Sequence, residues 1–135
     1  MFVKTFSSSE IVKKINASKN LPGPVSIGIA LMGGEMRSIK SNKTAFYPRN
    51  SNFFVDISSK WDNISDNLIM ETWTNIVVKN FLKKSCTYAY VGFPVTFPNI
   101  RHTPKIYYGK NFKKLKKIQK HNDTLNILSS TGTLD

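Results

Sequence analysis

A chain of 135 residues has room for one domain of ordinary size and not for two independent cores. Hydrophobic residues at 40% and aromatics at 12% are enough for a core, which excludes wholesale disorder, and the single cysteine, Cys86, excludes a disulfide framework. The formal charge of +12 favours polyanionic partners, yet 17 of the 20 cations are Lys beside 13 Asn and 13 Ile, the types that AT-rich coding over-supplies.

Ser7-Ser8-Ser9-Glu10 has capping-box spacing, so a short helix is expected to run to about Ala17, with Ile11, Val12 and Ile15 inward. Leu21-Pro22-Gly23-Pro24 breaks the chain. Residues 25–32 form an apolar, β-branched run that reads as a strand buried on both faces, closed by a Gly33-Gly34 turn. Residues 44–47 read as a short strand. Over residues 53–61, Phe53, Val55, Ile57 and Trp61 alternate with Phe54, Asp56, Ser58 and Lys60, the period of a strand.

Ile69, Trp73, Ile76, Val77 and Phe81 recur at helical spacing, predicting one amphipathic helix to about Lys84, roughly 28 Å long. Residues 88–93 read as a short aromatic strand, and residues 94–104, with three prolines, as an ordered loop. A helix over residues 111–120 would turn Phe112, Leu115 and Ile118 inward and Lys113, Lys114, Lys116 and Lys117 outward. Without strict alternation of strand and helix the class is α+β, an antiparallel sheet flanked by helices. No stretch approaches the ~20 apolar residues of a membrane span, and residues 1–20 lack a secretory apolar core, so a soluble, intracellular chain is expected.

Chemistry-bearing residues are few. The only histidines, His102 and His121, have no carboxylates close by in sequence and make poor material for a metal site. Cys86 carries no nucleophile motif and reads as a structural thiol. Gly33-Gly34 lacks the other glycines and the lysine of a phosphate loop. The lysines between Lys110 and Lys120 could lie along a phosphate backbone, although such a run is ordinarily the solvated face of a helix. Arginine, the bidentate reader of bases and phosphates, appears only at Arg37, Arg49 and Arg101, so nucleic acid is not the favoured partner. Asp56 stands on the strand face opposite Phe53, Val55 and Ile57. An aspartate so placed is ordinarily solvated, but on a desolvated cleft wall a carboxylate accepts a proton near neutrality.

Several motifs come in a familiar order. Gly33-Gly34-Glu35-Met36, Thr44-Ala45-Phe46-Tyr47-Pro48-Arg49 and Asp56 followed by Trp61 resemble the C-terminal half of FAD-linked oxidases of the berberine bridge enzyme type. Ala89-Tyr90-Val91-Gly92-Phe93-Pro94 is similar to that family's Ala-Tyr-x-Asn-Tyr segment. Tyr107-Tyr108-Gly109-Lys110-Asn111 with Leu115 and Ile118 resembles its Tyr-Phe-Gly-x-Asn helix start, and Asp123-Thr124-Leu125-Asn126-Ile127-Leu128 its Asp-Pro-x-Asn-x-Phe. The resemblance covers about residues 21–128.

It implies a single partial domain over residues 1–135: about 21–93 like the substrate domain, about 94–128 like the berberine-type C-terminal segment, and 129–135 a loose tail. Members oxidise alcohols, sugars or alkaloids by hydride transfer to FAD. The base five positions before the tryptophan would be Asp56. The tyrosine that assists it is replaced by Phe93, and the family's asparagine by Gly92. Tyr90, Gly92 and Asn111 would lie near the cofactor. Because 135 residues leave no room for the family's N-terminal FAD-binding domain, the resemblance implies that the partner is a separate FAD-binding chain or a missing N-terminal domain, beside a small-molecule substrate. The expected function is therefore a C-terminal fragment or subunit of an FAD-dependent oxidoreductase, inactive alone. The alternative is a basic nucleic-acid-binding module using the helix from Lys110 to Lys120.

Overall fold

In a computed structural model, residues 1–84, 86–92, 104–125 and 127 are described. The sheet has four strands: β1 (Phe2–Val3), β2 (Val25–Leu31), β3 (Phe53–Ser59) and β4 (Cys86–Tyr88). Their order is β2-β3-β1-β4, and every neighbouring pair is antiparallel. Among the described residues five α-helices accompany it: α1 (Ser8–Ala17), α2 (Glu35–Ser38), α3 (Asn67–Lys84), α4 (Pro104–Tyr108) and α5 (Phe112–Asn122). The class is α+β, as the mixed order of elements implies.

β3 organises the sheet. Its alternation puts Val55 at zero exposure, on the face covered by α3. Ser59 shares that face and meets the Thr74 hydroxyl of α3 at 2.8 Å. α3 begins after a 3-10 turn at Ile64–Asp66 and is 18 residues long, about 27 Å. Its buried stripe is Met70, Trp73, Thr74, Val77 and Val78, an i, i+3, i+4, i+7, i+8 recurrence. The expected stripe through Ile69 and Ile76 is therefore corrected by one position, and both of those residues are 48% exposed. Thr74 conceals the true stripe in the sequence, because its hydroxyl donates to the Met70 carbonyl at 2.9 Å and so a polar residue is buried without loss.

Other expectations are corrected too. β2 is not buried on both faces. It is the open edge of the sheet, and Leu31 is 77% exposed. An apolar run shows that a segment avoids water somewhere, not that both faces are covered. Residues 44–47 form no strand, and the aromatic strand expected over 88–93 is instead β4, ending at Tyr88 and followed by a turn at Val91 and Gly92. At the start of α1, Ser7 Oγ bonds Ser9 Oγ rather than a backbone amide, so the serine half of the capping box is not made. Ile11 of that helix is buried, whereas Val12 and Ile15 are exposed.

The start of the chain was not foreseen as a strand. β1 lies between β3 and β4, with Phe2 opposite both Phe54 and Tyr88. The Met1 ammonium donates to the Val55 carbonyl and the Val55 amide to the Met1 carbonyl, each at 2.7 Å.

α5 runs as expected, with Lys113, Lys114, Lys116 and Lys117 exposed. Its apolar side is shallower than expected: Phe112 and Leu115 are half-buried and Ile118 is 47% exposed. Leu115→Ala is accordingly expected to cost about 1–2 kcal/mol in denaturant unfolding, below the range for a fully buried leucine. Lys116→Ala should stay within about 0.5 kcal/mol. A loss above about 3 kcal/mol for Leu115→Ala would contradict the half-buried position.

Candidate functional site

The strand register divides β2 and β3 into two faces. Val55 pairs with Ile29 and Ile57 with Ile27 on the helix-covered side. On the other side Ser58 pairs with Ser26, Asp56 with Gly28 and Phe54 with Ala30. The result is a shelf in which one half-buried carboxylate lies beside a row of small residues. Ser26 and Ser58 join their hydroxyls at 2.8 Å at one end of it. A methyl added at Gly28 would meet the Asp56 Cβ at 3.6 Å, an ordinary contact, so the floor beside the carboxylate is flat. Among the described residues no hydrogen bond or ion pair reaches the Asp56 carboxylate.

The other end of the shelf is aromatic. The Phe54 ring lies 5.1 Å from Phe2 and 5.9 Å from Tyr90, and Phe2 lies 5.3 Å from Phe46. The Phe2–Phe46 and Phe54–Tyr90 contacts are edge-on and put positive ring edges against negative faces, while the Phe2 and Phe54 rings are tilted at 48°. Tyr90 therefore shares the Asp56 face, with Phe54 between them. Asp56 and Phe54 are two residues apart on one strand, about 7 Å. Beyond Phe54 opens a pocket of about 190 Å³ lined by Phe46, Pro48, Tyr90, Val91, Tyr107 and Tyr108 among others. Gly92 follows Tyr90 closely enough that a Cβ there would fall 2.8 Å from its ring.

Two buried polar side chains hold the pocket walls. Arg49 donates to the Met36 carbonyl at 3.0 Å and to Thr44 Oγ1 at 2.8 Å, and its guanidinium lies 5.3 Å from the Phe46 ring centre. Such a contact is worth about 0.5–2 kcal/mol depending on burial. Asn111, expected near the cofactor, donates from Nδ2 to the carbonyls of Ser41 at 2.6 Å and Thr44 at 2.9 Å. Its amide nitrogen is committed to holding the turn before Phe46. Gly109, at φ +52°, lets the chain pass the Tyr47 ring. Tyr47 in turn packs edge-on against Tyr88 at 5.1 Å. Burial first, then the Tyr47 phenol, pushes the Tyr88 phenol above its ordinary value of 10.0, so Tyr88 is neutral at pH 7.

The structure thus brings Asp56 and Tyr90 onto one face and puts Gly92 beside Tyr90. Phe93 and His102 lie outside the described residues, as do the side chains of Cys86 and Phe81. His121 is exposed on α5. Among the described residues no three His, Cys, Asp or Glu side chains gather to hold a metal, and no helix is long and apolar enough to cross a membrane. Phe2 and Phe46 are site residues that the sequence reading missed. The period of two that puts Phe54 on the Asp56 face was the available signal for Phe54, but nothing near Met1 announces a pairing partner more than 50 residues away.

A flat ring fits the shelf, because Gly28 and Ala30 leave its floor low beside Asp56. The described residues contain no cradle for a pyrophosphate: Gly33-Gly34 leads into α2, a helix of four residues. No protein-family model, no curated protein and no solved structure matches this chain.

Proposed function

We propose that this chain supplies the substrate-side wall of an FAD-dependent oxidoreductase acting on an alcohol, a sugar or a similar hydroxyl-bearing molecule. The flavin is held by a unit outside these 135 residues. The observation that carries the reading is the Asp56 carboxylate on the uncovered sheet face, with no partner among the described residues and with Phe54 and Tyr90 beside it. Its resemblance to oxidases of the berberine bridge enzyme type names the cofactor.

When bound, FAD supplies the hydride acceptor. Asp56 takes the proton of the substrate hydroxyl as the carbinol C–H bond gives up its hydride. The C–O bond becomes a carbonyl, and no cationic product forms. Tyr90, on the far side of Phe54, lines the aromatic end of the shelf. The aromatic rings keep water from that end of the shelf, which strengthens the electrostatics at the carboxylate.

The reading assigns the flavin phosphates to another unit, so the purified 135-residue chain is expected to be colourless. An absorbance spectrum checks it. A stoichiometric yellow chromophore on the chain alone would overturn that division of labour.

A further inference from the structure

The charges of this chain are segregated. Residues 36–55 and 104–122 hold eleven of the 20 lysines and arginines and not one of the eight aspartates and glutamates. Codon drift towards lysine adds cations along a whole chain; it does not clear acids from two segments that fold together. The two segments are packed on one another through Asn111, whose amide holds the carbonyls of Ser41 and Thr44. That contact sets the turn carrying Lys40 and Lys43, where the Lys43 amide donates to the Lys40 carbonyl, against the N-terminal end of α5. Lys40, Lys43, Lys110, Lys113, Lys114 and Lys117 are all exposed.

Positions 110, 113, 114 and 117 fall on one side of the helical segment, with neighbours about 5–6 Å apart. Lys110 stands in the 3-10 turn at Gly109–Asn111 that leads into α5, and the other three stand on α5 itself. A strand of nucleic acid presents its phosphates in a regular line, whereas the acids of a protein surface have no fixed pitch. A membrane is a poorer match, because Phe112 and Leu115 turn the apolar side of α5 towards the protein and leave it little to insert. We infer that this lysine surface binds the sugar–phosphate backbone of a nucleic-acid strand. Lysine is a point charge without the bidentate fork of arginine, so the contact reads phosphate and not sequence. This activity is separate from the Asp56 shelf and does not depend on flavin.

The test is fluorescence anisotropy of a labelled 20-nucleotide oligothymidine with the full chain across a salt series. A second chain carries Lys110→Gln, Lys113→Gln, Lys114→Gln and Lys117→Gln. A third loses the same charge elsewhere, through Lys4→Gln, Lys13→Gln, Lys19→Gln and Lys60→Gln. A fourth carries Arg at positions 110, 113, 114 and 117, and circular dichroism confirms the fold of each.

The expected result is salt-dependent binding whose log–log slope falls by about 3 in the first variant, at roughly 0.7 per lost phosphate contact. Affinity at low salt should fall at least about tenfold there, stay within about threefold in the charge-matched control, and be kept by the arginine chain. Equal losses in the two glutamine chains would overturn the inference, leaving only non-specific charge. So would an absence of binding at 50 mM salt, or stronger binding to vesicles of 30% phosphatidylserine in phosphatidylcholine.

Discussion

Replacing Asp56 by Asn is expected to leave the fold unchanged and to slow flavin reduction by substrate roughly 100-fold to 10,000-fold in the flavin-loaded assembly, the range for a lost general base. The substitution keeps the shape of the side chain and removes its ability to take a proton. The Asp56 carboxylate makes no hydrogen bond or ion pair among the described residues, so no native partner is orphaned by the change. Its neighbours across the strands, Gly28 and the Ser26–Ser58 pair, do not depend on its charge. Stopped-flow reduction under anaerobic conditions reads the chemical step apart from reoxidation. Substrate affinity should change much less than the rate, because the proton moves in the transition state. Equal rates for the two forms would remove Asp56 from the mechanism and leave it a solvated strand residue.

Gly109→Ala is expected to be strongly destabilising. A Cβ at that position would lie 2.2 and 2.3 Å from two Tyr47 ring carbons and 2.7 Å from a third. The third is the atom joining the ring to its Cβ, so turning the ring does not clear the clash. The backbone there is also left-handed, at φ +52°, which costs a non-glycine residue about 1–2 kcal/mol. Overpacking adds about 1–3 kcal/mol. Together these give a loss of roughly 2–5 kcal/mol in denaturant unfolding, a large share of a small domain's stability. Gly33→Ala is the control, since nothing lies within 4 Å of its added Cβ and its φ is not positive. It should stay within about 0.5 kcal/mol. A Gly109→Ala chain as stable as the Gly33→Ala chain would show that the Tyr47 contact is not as tight as drawn.

What the sequence made legible was local. The bounds of α1 and α3, and β3 with its two faces, follow from periods of 3.6 and 2 that each segment carries within itself. The face on which Asp56 stands is legible for the same reason. What stayed hidden depends on distant partners. β1 is two residues long, too short for any period, and it is a strand only because Phe54 and Phe53 offer it an edge. The open edge at β2 was hidden by a run as apolar as a buried strand, in which Ser26, Gly28 and Ala30 mark the uncovered face. Residues 44–47 look extended and apolar, yet their structure is set by Arg49 and Asn111, which bind the local carbonyls and hydroxyl in place of a neighbouring strand. The aromatic end of the shelf was hidden likewise, because it joins Phe2, Phe46, Phe54 and Tyr90 from four separate stretches.

The most direct test is the anaerobic absorbance spectrum of this chain isolated, by a tag, together with its native partners from the cells that make it. The account predicts about one flavin per chain, in bands that bleach when an alcohol or sugar substrate is added. A native assembly that holds this chain but no flavin would contradict it.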